Sequence, residues 1–270
     1  MDLSDILVCL DATEAGANRL KLALRLAHQH QAFLTAAYIL EPVGKPVFGQ
    51  PDPVMPDPVM SSAEQAEEQF RQTLRLQGVS GDWRLIDGPD TAEVVALAKS
   101  ADLAILGQYS AQTHNGTGFR PDEIATACGR PLLIVPYIGG FATIGENVLI
   151  AWDGTREATR ALNDALPLLE TAKAATVLTV VAKEREFEQA HADLQRVVAH
   201  LERHGVPARA EETVRGDLSV SDLLLSRAAD LGADMIVAGA YHHSQLREAL
   251  IGGVSRDLLR HMTVPVLMSH

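Results

Sequence analysis

Cysteine is almost missing from this chain. Cys9 and Cys128 are the two in 270 residues, which excludes a disulfide framework and any cysteine-rich zinc module. Both stand in apolar stretches, so buried free thiols in a reducing compartment are expected. Aromatic residues make up 4%, too few to build base-stacking platforms for single-stranded nucleic acid. Basic residues are also short: 23 Lys and Arg face 35 Asp and Glu, a net charge of −12. Nucleic acid and anionic membranes, both negative themselves, are therefore not expected as partners. No apolar run approaches the roughly 18 residues that span a bilayer. The opening MDLSDILVCLDA lacks the basic region of a signal peptide. A cytoplasmic protein follows.

Several catalytic signatures are missing too. There is no GxxxxGK[ST] loop, no GxGxxG turn after a first strand, no GxSxG elbow, no CxxC pair and no HExxH. A hydrolytic or redox enzyme lacks its usual parts, and no catalytic or metal residue is assigned.

What is present is a repeat. Ile6–Thr13 (ILVCLDAT) is matched by Val148–Thr155 (VLIAWDGT), in each case an apolar run ending in Asp with Thr two residues on. ADLAILG, ending at Gly107, is matched by ADMIVAG, ending at Gly239, and RPLLIV at 130–135 by VPVLM at 264–268. Three markers in one order imply two homologous halves, 1–138 and 144–270, joined by a short Gly-rich link.

In each half, short apolar strands alternate with helical patterns. The first reads as strand 6–10, helix 14–29, strand 33–39, helix 61–77, strand 83–87, helix 91–99 and strands 102–106 and 132–136. The second reads as strand 147–152, helix 156–171, strand 175–181, helix 185–204, strand 208–214, helix 219–231, strand 234–238, helix 253–261 and strand 264–268. Strands such as LLIV and MIVAG are apolar on both faces, as parallel strands covered by helices must be. The expected fold class is α/β, a doubly wound parallel sheet formed twice. Pro167 should kink its helix without ending it. Segment 42–60 holds six of the 13 prolines and reads as an extended surface loop, either decoration or a lid or docking strip. Trp83 and Trp152 are placed in strands, packing in cores or between the halves.

Ligands of open parallel sheets sit beyond the carboxyl ends of the strands, where strand order reverses. Asp11 and Asp153 end the first strand of each half. Each carboxylate can accept from ribose hydroxyls or help hold a cation; each can equally cap the helix that follows. Downstream, Gly239 ends a strand, and Gly252-Gly253-Val254-Ser255 opens a helix. Glycines permit close backbone approach, and free first-turn amides can cradle an anion. His242 and His243, between them, are either exposed loop residues or aids to an anion. His200 and His204, four apart on a helix, read as a solvated face.

On these markers the whole chain resembles a tandem universal stress protein, more strongly in its second half. The resemblance implies two flavodoxin- or Rossmann-like domains, each a five-stranded sheet of order 3-2-1-4-5 with helices on both faces. It implies intramolecular pairing of the halves, with a homodimer also open, and a role in stress response. Many members bind ATP through Gly, two residues, Gly, nine residues, then Gly with Ser or Thr. Gly239 matches the first Gly, His242 stands in place of the second, Gly252 matches the third and Gly253 replaces the hydroxyl residue. Val254 and Ser255 complete the turn, and Asp153 matches the strand-ending Asp. The implied ligand is ATP or another adenine nucleotide, with or without Mg, and any turnover would be slow. In the first half Gly107 matches, Ser110 replaces the second Gly, and Pro121-Asp122-Glu123 starts a helix with acids where a phosphate would sit. That half reads as degenerate. The alternative for the whole chain is a module of the same fold that binds no nucleotide and serves interaction or dimerisation.

Overall fold

The structure, a computed structural model, describes residues 3–40, 57–88, 90–109, 119–240 and 253–270, apart from the side chains of 57–59, 187 and 189. The first half comprises β1 (Asp5–Leu10), α1 (Glu14–His30), β2 (Phe33–Leu40), α2 (Asp57–Gln77), β3 (Gly81–Asp87), α3 (Thr91–Lys99), β4 (Leu103–Gly107), α4 (Pro121–Cys128) and β5 (Leu132–Val135). The second comprises β6 (Asn147–Ala151), α5 (Arg156–Leu169), β7 (Ala174–Val181), a 3-10 turn, α6 (Phe187–Arg203), β8 (Ala208–Val214), α7 (Val220–Asp230), β9 (Met235–Gly239), α8 (Gly253–His261) and β10 (Val266–Ser269).

Local chemistry sets most helix starts. Thr13, Asp90, Thr155 and Ser219 cap α1, α3, α5 and α7, each accepting from first-turn amides through a side-chain oxygen. Pro121 opens α4, where its missing N–H costs nothing, and Gly129 closes it at φ 64°. The helix through Asp57–Met60 corrects the reading of 42–60 as loop throughout. A proline in a helix's first turn lacks only a donor that would be unpaired anyway. The remainder of that segment, 42–56, lies outside the described residues. α5 runs through Pro167 but ends at Leu169, two residues later.

The strands form one sheet of order β3-β2-β1-β4-β5-β10-β9-β6-β7-β8. Every neighbouring pair is parallel except β5 and β10, which meet antiparallel through Ile134–Val266, Leu133–Leu267 and Leu132–Met268. The two halves therefore share one continuous sheet, related by reversal at this seam. Gln108 reinforces the seam by donating from Nε2 to the Leu259 and Arg260 carbonyls at 2.8 and 3.1 Å. Strands β4, β5 and β10 are buried along their whole length, because helices cover both faces. The outer strands β3 and β8 carry Asp82, Arg84, Glu211 and Glu212, charges that discourage further strand addition.

Trp83 stacks on Tyr38 at 5.2 Å and packs against Phe70 at 5.4 Å in the core of the first half. Trp152 does not lie in a strand: it follows β6, half-buried, with an indole Nε1 that is buried and has no hydrogen-bond partner among the described residues. No described helix is long and apolar enough to cross a membrane.

Candidate functional site

The carboxyl ends of β1 and β6 are built alike. Thr13 Oγ1 accepts from the Gly16 amide at 3.0 Å, and Thr155 Oγ1 from the Ala158 amide at 3.2 Å. The threonines, not the aspartates, are the helix caps. Each Asp instead orients its Thr. Asp153 Oδ1 accepts from the Thr155 amide and hydroxyl at 3.0 and 2.6 Å, and Asp11 Oδ1 accepts from the same two groups of Thr13. One carboxylate oxygen, Oδ2, is left over in each half, and the halves then diverge.

In the first half, Arg19 takes it. Arg19 Nη2 lies 2.6 Å from Asp11 Oδ2, and Nε donates to the Cys9 carbonyl at 2.6 Å. Both side chains are 3% exposed. The guanidinium rests on Gly107, where an added Cβ would fall 2.2 Å from Nη1. Gly107 thus makes room for Arg19, and the Asp11 oxygen that a ligand would meet is taken from within, although a cavity of about 770 Å³ between α1 and α2 still borders Asp11. Beside this pair, burial pushes the Cys9 thiol up to about 12, against a smaller opposing pull from Arg19, so it stays neutral and unreactive.

In the second half, the residue 142 positions beyond Arg19 is Ala161, a buried methyl. Asp153 is exposed, and its Oδ2 has no partner among the described residues. A cavity of about 420 Å³ opens beside it, bordered by Trp152, Asp153, Thr155, Glu157, Gly239 and the first turn of α8, Gly253–Ser255. Its apolar side is formed by Leu178, Val180, Leu224 and Leu258. Five of the seven expected nucleotide-site residues (Asp153, Gly239, Gly253, Val254 and Ser255) border this one space. His242 and Gly252 lie outside the described residues, as does Ser110 in the first half.

Gly239 has a reason of its own to be glycine. A Cβ there would stand 2.6 Å from the Ala158 amide nitrogen and 2.7 Å from the Glu157 carbonyl carbon, so β9 and α5 could not approach as they do. At Gly253 an added Cβ would meet nothing within 4 Å, and the lost hydroxyl is not imposed by crowding.

The charge in the crevice is one-sided. Asp153 and the mostly buried Glu157 supply two carboxylates, and no Lys or Arg borders the cavity among the described residues. Positive potential comes from the first-turn amides of α8, which have no partner within the helix. Such a space can accept hydroxyl donors at one end, hold a flat apolar group in the middle and receive an anion at the helix start.

Sequence reasoning missed Arg19, Glu157 and the position of Trp152 in the crevice wall. The signal for Arg19 was available: placing the repeats in register puts a long cation in one half where the other has Ala161. Elsewhere, His200 and His204 face each other with ring centroids 4.8 Å apart. No group of three metal-ligating residues occurs among the described residues. His204 is exposed, in line with the solvated face expected, whereas His200 is half-buried and its Nε2 is buried with no hydrogen-bond partner among the described residues. Burial, with smaller contributions from His204 and Arg203, holds its pKa below the ordinary 6.5. The unfolded chain then takes up the proton first, so the stability contributed by neutral His200 is full above about pH 6.5 and falls as the solution is acidified. His200→Leu should therefore lose less stability than wild type between pH 7.5 and 5, as read by urea midpoints.

The sequence profile of the Universal stress protein family matches residues 3–113 and 145–270. Universal stress protein Slr1230 of Synechocystis is 28% identical over 171 residues, covering 62% of this chain and 57% of its own length. The chain thus spans little more than half of that relative. Among solved structures, a universal stress protein from Archaeoglobus fulgidus superposes with a TM-score of 0.71 at 14% identity, covering 99% of this chain and 96% of its own. A functionally unknown protein of Pseudomonas aeruginosa PAO1, PA1789, gives 0.66 at 17% identity, covering 99% and 92%. At these identities the structures report the fold alone.

Proposed function

Because the chain belongs to the universal stress protein family, we propose that it is a cytoplasmic stress-response regulator that binds one adenine nucleotide in its second half. Its repeat units are 1–138 and 144–270. The ribose hydroxyls meet Asp153, and the base lies along the apolar side under Trp152. Close packing at Gly239 shapes the floor, and the phosphate meets the amides of Gly253, Val254 and the Ser255 hydroxyl. The observation that carries this reading is the contrast between the two aspartates: Arg19 takes Asp11 Oδ2 in the first half, whereas Asp153 Oδ2 has no partner among the described residues and borders an open crevice. The first half then serves as scaffold. Among the described residues none in the crevice is arranged as an activated nucleophile, so any turnover at this site would be slow.

One feature favours the rival reading, a partner-docking module of the same fold. Two carboxylates and no basic side chain border the crevice among the described residues, which disfavours phosphates unless Mg accompanies them. Calorimetric titration of dialysed protein with ATP, ADP and AMP, with and without magnesium, separates the two. Binding of at least one nucleotide supports the proposal; silence from all three overturns it in favour of the docking module.

A further inference from the structure

A second cavity, of about 320 Å³, lies on the seam between the halves, where α4 faces α8. Three arginines border it: Arg120 from the first half, and Arg256 and Arg260 from the second. In a chain of net charge −12, such a cluster stands against the prevailing charge. Arg256 and Arg260 are one helical turn apart on α8, so both reach the same side. Neither has an ion-pair partner among the described residues. Arg120 is held in place by Asp122 at 3.0 Å and Glu123 at 3.5 Å. Asp122 also lines the cavity, and with Glu123 counted, three positive groups stand against two negative ones among the described residues. Tyr109 and Ser255, which carry hydroxyls, also border the cavity.

Of these three arginines, Arg256 and Arg260 have no carboxylate partner among the described residues and repel each other when the space is empty; an anion with several charged oxygens relieves that repulsion. A single carboxylate or phosphate would engage one or two of them; an oligophosphate engages all three. We propose that this seam is a binding site for a di- or triphosphate group, separate from the crevice beside Asp153. Because Arg120 belongs to one half and Arg256 and Arg260 to the other, the bound group ties the halves together across β5 and β10. The inference does not depend on nucleotide binding in the crevice. Ser255 borders both cavities, so the oligophosphate is either free or the tail of a nucleotide.

The test is a calorimetric titration of the full chain with inorganic tripolyphosphate at low salt. Wild type should bind one equivalent, more weakly as salt is raised, since exposed charges are screened. Arg256→Ala/Arg260→Ala, whose exposed side chains leave the core untouched, should raise Kd by at least about tenfold with an unchanged thermal midpoint. Asp153→Ala should leave tripolyphosphate binding intact. No binding by wild type, equal binding by the double variant, or loss in Asp153→Ala would each overturn the proposal. ATP titrated into protein saturated with tripolyphosphate then names the source: displacement assigns the seam to a nucleotide's tail, and independent binding assigns it to a free oligophosphate.

Discussion

Arg19→Ala should lower the free energy of unfolding by about 3–5 kcal/mol, because it strands a buried charge. Asp11 is buried, and Arg19 occupies its one oxygen not committed to Thr13. The truncation also removes the donor to the Cys9 carbonyl and empties the space above Gly107. Chemical denaturation of wild type and variant reads the loss directly. Asp11→Ala/Arg19→Ala should recover part of it, since neither charge is then left alone. A single-variant loss under about 1 kcal/mol would mean that solvent reaches Asp11 and that the first crevice is not sealed.

Asp153→Ala should do the reverse. The equivalent carboxylate in the second half is exposed and, among the described residues, bonded only to Thr155. Its removal should change stability by no more than about 1 kcal/mol. Its effect should fall on binding. A hydrogen bond from a neutral hydroxyl to a carboxylate contributes about 1.5–3 kcal/mol, so the nucleotide's Kd should rise by roughly ten- to a hundredfold. The two aspartates, matched in sequence and in local geometry, thus separate into a structural and a functional role. What separates them is the residue in the second helical turn beyond each cap, Arg19 or Ala161. An Asp153→Ala variant that unfolds easily yet binds normally would reverse the assignment.

The repeat and the alternation of strands and helices were legible because both are carried by local pattern. Apolar runs such as LLIV and MIVAG need only their own composition to read as buried parallel strands. The helix caps were half legible: Asp11 and Asp153 drew attention as strand-ending acids, but the capping atoms belong to Thr13 and Thr155, two residues on. The joining of the halves into one sheet through β5 and β10 was not legible in detail, since nothing in either four-residue strand encodes the direction of its partner. Arg19 was missed because an Arg in the middle of an amphipathic helix ordinarily reads as a solvated charge. Only contact with Asp11, eight residues away, and with Gly107, on another strand, reveals it as a plug. Gly239 was assigned to ligand approach, whereas the contact that demands glycine is with the backbone of α5.

The central claim is that duplication left two matching strand-ending aspartates, of which one is bound by the chain's own arginine and the other is left to take a nucleotide. Counting the adenine nucleotide bound per chain tests it most directly, with AMP as titrant so that the arginine seam contributes little. Dialysed wild-type protein should bind one AMP per chain, and Asp153→Ala should lose that binding while Asp11→Ala keeps it. Two molecules per chain, or one that departs with Asp11 and not with Asp153, would contradict the account.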